Sequence, residues 1–114
     1  MPQLSVEEIV KASGGTLVWG EEKTLVTSIE TDSRKAGDGA LFIPVIGERA
    51  DGHRFICSAL KRGAAASLTS SHPDRASVER ELNETDAPRE AAWIYVDDTV
   101  KALQKIGAFC RDKV

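Results

Sequence analysis

Leu41-Phe42-Ile43-Pro44-Val45-Ile46, then Arg54 to Arg62, then Ala64 to Thr69: these three pieces follow one another closely, and their order decides the fold. The first is a continuous apolar run, the mark of a strand covered on both faces. The second places Phe55, Ile56, Ala59 and Leu60 on one helical face, with Lys61 and Arg62 in the last turn and Gly63 as the stop. The third returns as a strand. Strand, helix and strand in such short order predict a βαβ unit with parallel strands and a right-handed crossover. Pro44 removes a ladder donor from the first strand, which predicts an edge or a bulge there.

Outward from this unit, Ser5-Val6-Glu7-Glu8 reads as a capping box opening a helix that Gly14-Gly15 ends. Thr16 to Trp19 is a short strand, Gly20-Glu21-Glu22 a turn, and the β-branched stretch Leu25 to Thr31 another strand. His72 to Pro88 is polar and reads as a solvated excursion without chemistry, with a helix near Ala76 to Leu82. Ala92 to Val96 is the last strand. Asp97-Asp98-Thr99 caps a final helix in which Val100, Leu103, Ile106 and either Phe109 or Cys110 keep helical spacing. The sum is an α/β domain: a small mixed, mostly parallel sheet with helices on both faces.

At 114 residues the chain is one domain, and with only 5% aromatic residues its core rests on Ile, Leu, Val and Ala. No run approaches the roughly 18 apolar residues of a membrane helix, and no basic-then-apolar leader opens the chain, so no membrane association and a cytoplasmic location are expected. A net charge of -3 argues against a nucleic-acid surface. Arg34, Lys35, Arg49, Arg54, Lys61 and Arg62 nevertheless outnumber Asp38, Glu48 and Asp51 in the middle of the chain. A local basic patch on an acidic domain suits a small anion. Cys57 and Cys110 form no C-x-x-C unit and read as small hydrophobes. His53 and His72 offer no metal-ligand spacing, so no metal is expected.

Two polar segments come directly after strand-like runs, where an α/β protein binds its ligand. In Thr31-Asp32-Ser33-Arg34, short side chains either redirect the chain as an Asx or Ser turn or reach a ligand, and Arg34 suits an anion. In Gly47-Glu48-Arg49-Ala50-Asp51-Gly52-His53, the glycines allow tight turns and close approach of a ligand, Asp51 can cap the helix, and His53 reads as a surface residue of its first turn. Neither G-x-x-x-x-G-K-[ST] nor G-x-G-x-x-G occurs in the chain. No nucleophile and base, and no paired carboxylates in an apolar setting, form a catalytic set. The residues themselves define a small-anion or nucleotide-like binding module.

The ordered set Asp32-Ser33-Arg34, Gly39-Ala40-Leu41-Phe42, Ile43 to Ile46, Gly47, Asp51-Gly52-His53-Arg54-Phe55-Ile56, Ala59 and Gly63-Ala64 resembles the N-terminal domain of the Mur ligases, in the MurE and MurF branches. Phe42 to Glu48, with its proline and Gly-Glu pair, and Asp97 to Gln104 resemble MurF more than MurE, as does Cys110-Arg111-Asp112-Lys113. Asp38-Gly39-Ala40 departs from the family's Pro-Gly-Asp.

The resemblance implies a cytoplasmic bacterial enzyme of peptidoglycan synthesis that joins D-alanyl-D-alanine to UDP-N-acetylmuramoyl-tripeptide. It would use ATP and Mg²⁺ bound by a central domain following Val114. Residues 1–114 would then form one domain that anchors the UDP end of the substrate, catalyses nothing and meets its own central and C-terminal domains. By the same resemblance, Thr31 and Ser33 lie at the uracil or ribose, and Gly47, Glu48, Arg49 and Ala50 along the uridine and diphosphate. Arg34 and His53 contact the ligand or brace its loop. Two alternatives stand beside this: a MurE-type domain serving addition of the third peptide residue, and a non-catalytic regulatory module on a similar scaffold.

Overall fold

The computed structural model describes residues 3–45 and 52–112. Ile46, the segment Gly47 to Ala50, Asp51 as a cap, and Lys113 lie outside the described residues. The chain runs β1 (Leu4–Ser5), α1 (Val6–Ser13), β2 (Thr16–Trp19), β3 (Leu25–Val26), β4 (Ser28–Glu30), β5 (Ala40–Phe42), a 3₁₀ turn (Gly52–Phe55), α2 (Ile56–Lys61), β6 (Ala66–Thr69), α3 (Arg75–Thr85), β7 (Ala92–Tyr95) and α4 (Thr99–Asp112). Five strands form a sheet in the order β2-β7-β6-β5-β4, while β1 and β3 pair separately. Only the β2–β7 pairing is antiparallel in the larger sheet. The mixed, mostly parallel sheet is as expected.

Strand periodicity divides the core in two. Ala40, Phe42 and Trp93 face the layer holding Ile56, Leu60, Val78 and Leu82 of α2 and α3. Leu41, Ala66, Leu68, Ala92 and Ile94 face Val6, Ile9, Ala102 and Ile106 of α1 and α4. Adjacent residues of one strand thus serve opposite cores, which is why β5, β6 and β7 read as apolar runs.

The capping box opening α1 is present: Ser5 Oγ accepts from Glu8 N at 3.1 Å, and Ser5 N donates to Glu8 Oε1 at 3.1 Å. The amides of Val6 and Glu7, otherwise without intrahelical partners, donate to the carbonyls of Thr24 and Glu22. The helix start is therefore stitched to the segment leading into β3. Gly14 closes the helix at φ +73°. Asp98 caps α4, its Oδ1 accepting from the amides of Val100 and Lys101.

Four expectations need correction. The single strand Leu25 to Thr31 is two, because Thr27 N donates to Gly39 O and the chain passes there from the β1 ribbon to the main sheet. The strand expected from Leu41 to Ile46 is Ala40–Phe42. Ile43 N still bonds Glu30 O, and Pro44 falls just past the ladder, where a missing donor costs nothing. The helix from Arg54 opens as a 3₁₀ turn, whose tighter winding swings Phe55 off the core face. Phe55 is 38% exposed and lies under the Arg54 guanidinium. The stretch from His72 to Pro88 does carry the helix expected near Ala76 to Leu82, as α3, but it is not a solvated excursion, because that helix buries Val78 and Leu82.

The nine residues between β4 and β5, positions 31–39, cross without a helix, and Ala36 is buried in the α2–α3 core as they do so. This crossing docks on the turn after α2, where Gly39 N donates to Gly63 O at 3.0 Å. Gly63 has φ +111°, and a Cβ there would lie 2.1 Å from Asp38 Oδ1 and 3.2 Å from its Cα. Gly63→Ala should therefore destabilise the domain by about 1–3 kcal/mol through strain alone. Urea unfolding of the two proteins side by side checks it, and equal midpoints would refute the account.

Candidate functional site at the carboxyl edge

Because β4 to β7 are mutually parallel, their carboxyl ends lie along one edge of the sheet. Four segments leave that edge: Thr31–Arg34 after β4, the chain after β5, Ser70–His72 after β6 and Asp97–Thr99 after β7. The first polar segment singled out in the sequence starts here, as the strand-end rule requires, and of the second only Gly52 and His53 are among the described residues.

After β4, Asp32 makes the turn. Its Oδ1 accepts from the Arg34 amide at 2.9 Å and from Nε at 3.2 Å, and its Oδ2 accepts from Nη2 at 3.1 Å. Lys35 N closes the turn on Asp32 O. The hydrogen bonds from the Arg34 side chain hold the Asp32 carboxyl below its ordinary pKa. Asp32 thus has the turn-forming role. Arg34 is fixed at its inner side while its side chain stays 82% exposed. Thr31 is exposed and Ser33 half-buried beside it.

After β5, Gly52 N donates to Val45 O at 3.0 Å, which brings the two stems of the intervening segment side by side. A Cβ on Gly52 would lie 2.7 Å from Val45 N and 2.8 Å from Val45 O, so only glycine permits this approach. His53, 8% exposed, points inward. Its Nε2 lies 2.8 Å from the Ser70 amide and 3.0 Å from Ser70 Oγ. An amide can only donate, so Nε2 is the acceptor and the ring proton sits on Nδ1. His53 braces the segment to the end of β6.

Sequence reasoning missed the cluster at the end of β6. Thr69 Oγ1 lies 2.7 Å from His72 Nδ1, and His72 Nε2 lies 3.3 Å from Glu81 Oε1 on α3. The imidazole also meets Trp93 edge to face, with 5.0 Å between ring centroids. A polar run just past the strand Ala64 to Thr69 was the available signal, the same one that marked Thr31. The basic patch is also split. Lys61 and Arg62 end α2 beside Gly63, at the edge where the parallel strands begin, and Arg34 is at the other. Cys57 is half-buried, its thiol pKa raised by that burial, and Thr85 donates to its sulfur.

The chain has no phosphate-gripping G-x-x-x-x-G-K-[ST] run. No three His, Cys, Asp or Glu among the described residues are grouped to hold a metal ion. Among those residues no helix is long and apolar enough to cross a membrane.

Comparison with known proteins gives this edge its context. Residues 25–110 match the family described as "Mur ligase family, catalytic domain". Over 107 residues, 93% of the chain, it is 37% identical to the UDP-N-acetylmuramoyl-tripeptide–D-alanyl-D-alanine ligase of Bacillus subtilis (strain 168), covering 21% of that protein. Over 65 residues, 57% of the chain, it is 48% identical to the UDP-N-acetylmuramoyl-L-alanyl-D-glutamate–2,6-diaminopimelate ligase of Chlorobium phaeobacteroides, covering 12% of that protein. The crystal structure of MurF from Acinetobacter baumannii superposes with a TM-score of 0.73 at 26% identity, over 99% of this chain and 22% of that one. The chain belongs to the Mur ligase family and matches its N-terminal domain. It spans about a fifth of the Bacillus relative.

Two outcomes are expected from the histidines. His53→Ala removes the acceptor of the part-buried Ser70 amide and should cost about 1–3 kcal/mol, read as a lower urea midpoint. For His72, burial holds the pKa below its ordinary 6.5, against the pull of Glu81. The unfolded chain then binds a proton more readily than the folded one. Stability from this group is full above pH 6.5 and falls as the pH drops from there toward the folded pKa. Unfolding free energy should decline on acidification through that window, and less steeply in His72→Gln. Equal slopes would remove His72 as the cause.

Proposed function

We propose that this domain anchors the UDP end of UDP-N-acetylmuramoyl-tripeptide for a cytoplasmic bacterial ligase that adds D-alanyl-D-alanine. The observation that carries the reading is the 37% identity, over 93% of the chain, to a ligase of that name. The position of Thr31 to Arg34 at the carboxyl edge of the parallel sheet, with His53 tied to the end of β6, supports it. Thr31 and Ser33, at the end of β4, meet the uracil or ribose. Arg34, preset by Asp32 with its outer face in solvent, meets the diphosphate together with Gly47, Glu48, Arg49 and Ala50. His53 serves the site from behind, as the brace that fixes where that segment re-enters the fold.

The domain holds and does not react. ATP and Mg²⁺ belong to another part of the parent enzyme, and amide-bond formation takes place where that part meets the peptide end of the substrate. Affinity for UDP alone is modest, because a ligand shared between domains leaves each with a fraction of the contacts. A second reading, a domain of a diaminopimelate-adding ligase, draws on the 48% identity to the Chlorobium protein over a shorter span. Assaying the full-length parent with diaminopimelate against D-alanyl-D-alanine separates the two.

The anchoring role is tested on the isolated chain. UDP titrated into ¹⁵N-labelled protein should shift the amides of Thr31 to Arg34, Gly52, His53 and Ser70 in a saturable way. Unmoved amides at millimolar UDP would overturn the proposal.

A further inference from the structure

The end of the sheet opposite the proposed UDP site carries a knob and a hole side by side. Two recesses, of about 550 and 460 Å³, lie along the edge where β6 and β7 begin, and they share Thr24 and Glu90 as a common wall. The larger has an apolar floor that includes Leu60, Ala64, Pro88 and Ala91. Next to Thr24 in the chain stands Leu25, 50% exposed, the least covered large hydrophobic residue among those described. Val26 beside it is fully buried, so the strand pleat turns Leu25 outward. The segment leading to this knob is held in place. The carbonyls of Glu22 and Thr24 accept from the amides of Glu7 and Val6 at 2.9 and 2.8 Å, which lowers the cost of ordering it in a contact.

Charge on this edge comes in both signs. Lys61 and Glu90 line the larger recess, and Glu21, Arg75 and Arg89 join Glu90 in the smaller. Trp19 supports the arginines: it is 9% exposed, and its Nε1 donates to Arg89 O at 3.0 Å. Arg75 stacks on that ring, 4.2 Å from its centroid. Among the described residues, the side chains of Arg75, Lys61, Glu21 and Glu90 have no ion pair and no hydrogen bond, and Arg89 bonds only Asn83. Three cations and two acids thus share one edge without neutralising one another. They leave it one charge positive on a chain of net charge -3, so two copies repel least here.

A patch with a knob, a hole and unpaired charges of both signs is complementary to itself, which is what a two-fold axis requires. We propose that this edge is the contact face for a second copy of the chain. Leu25 of each copy seats in the apolar recess of the other, and Glu21 and Glu90 of each face Arg75 and Arg89 of the other. Tryptophan and arginine are residues on which such contacts concentrate their energy. A partner of one charge sign would leave the opposite set of side chains unanswered. The carboxyl edge stays open in both copies, so the inference does not rest on UDP anchoring.

Sedimentation equilibrium of the chain from about 10 µM to about 1 mM, at low and at high salt, tests it. A monomer–dimer equilibrium that salt weakens is expected. Leu25→Asp, at an exposed position, should weaken association at least about tenfold. The double variants Arg75→Glu with Arg89→Glu, and Glu21→Lys with Glu90→Lys, should each associate poorly alone, and an equimolar mixture of the two should recover the dimer. Thermal melts confirm that each variant is folded. A wild-type chain that stays monomeric throughout overturns the proposal. So does a dimer indifferent to Leu25→Asp, or folded charge variants that fail to associate on mixing. Should a charge variant not fold, Leu25→Asp and the salt series decide the matter alone.

Discussion

One hydrogen bond, from the Ser70 amide to His53 Nε2, sets where the chain re-enters the fold after its central strand. It joins the 3₁₀ turn to the end of β6, and the bond from Gly52 N to Val45 O closes the same stem from the other side. Both donors are backbone amides, so the arrangement is indifferent to most side chains nearby but depends on an imidazole at position 53 and a glycine at 52. The 3₁₀ turn, the exposed Phe55 and the short α2 all lie at or directly after this fixed point.

The architecture was largely readable from the chain, for physical reasons that differ by element. The capping box at Ser5 and the apolar face of α4 were legible because their signals are local. The parallel β5, α2 and β6 unit was legible from chain order. Strand lengths were less so. β5 stops at Phe42, short of the end of its apolar run, and the division at Thr27 depends on Gly39, twelve residues on in the sequence, which no local pattern announces. α3 was underrated because a mostly charged helix needs only Val78 and Leu82 to dock.

The site was legible in part, and for one reason. Strand ends could be found from periodicity, so Thr31 to Arg34 stood out at once. The same rule applied to β6 and β7 points to Ser70, His72 and Asp97, but nothing local distinguishes these residues from ordinary caps and turns. Their proximity arises only when four parallel strands bring their ends together. The internal pairing of Asp32 with Arg34 was equally hidden, since an acid and a base two residues apart more often face solvent separately.

The partition of the core has an optical consequence. Both tryptophans of the chain, Trp19 and Trp93, belong to the layer under α2 and α3. Trp19 lies beneath the guanidinium of Arg75, the first residue of α3, at 4.2 Å, and Trp93 meets the His72 ring that Glu81 holds from the same helix. Intrinsic fluorescence therefore watches the docking of α3 and is nearly blind to α1 and α4, whose layer contains no indole. Circular dichroism sees both layers. Transitions that coincide by the two methods would establish that the sheet couples its faces into one cooperative unit, and a lag between them would assign the order in which the layers part.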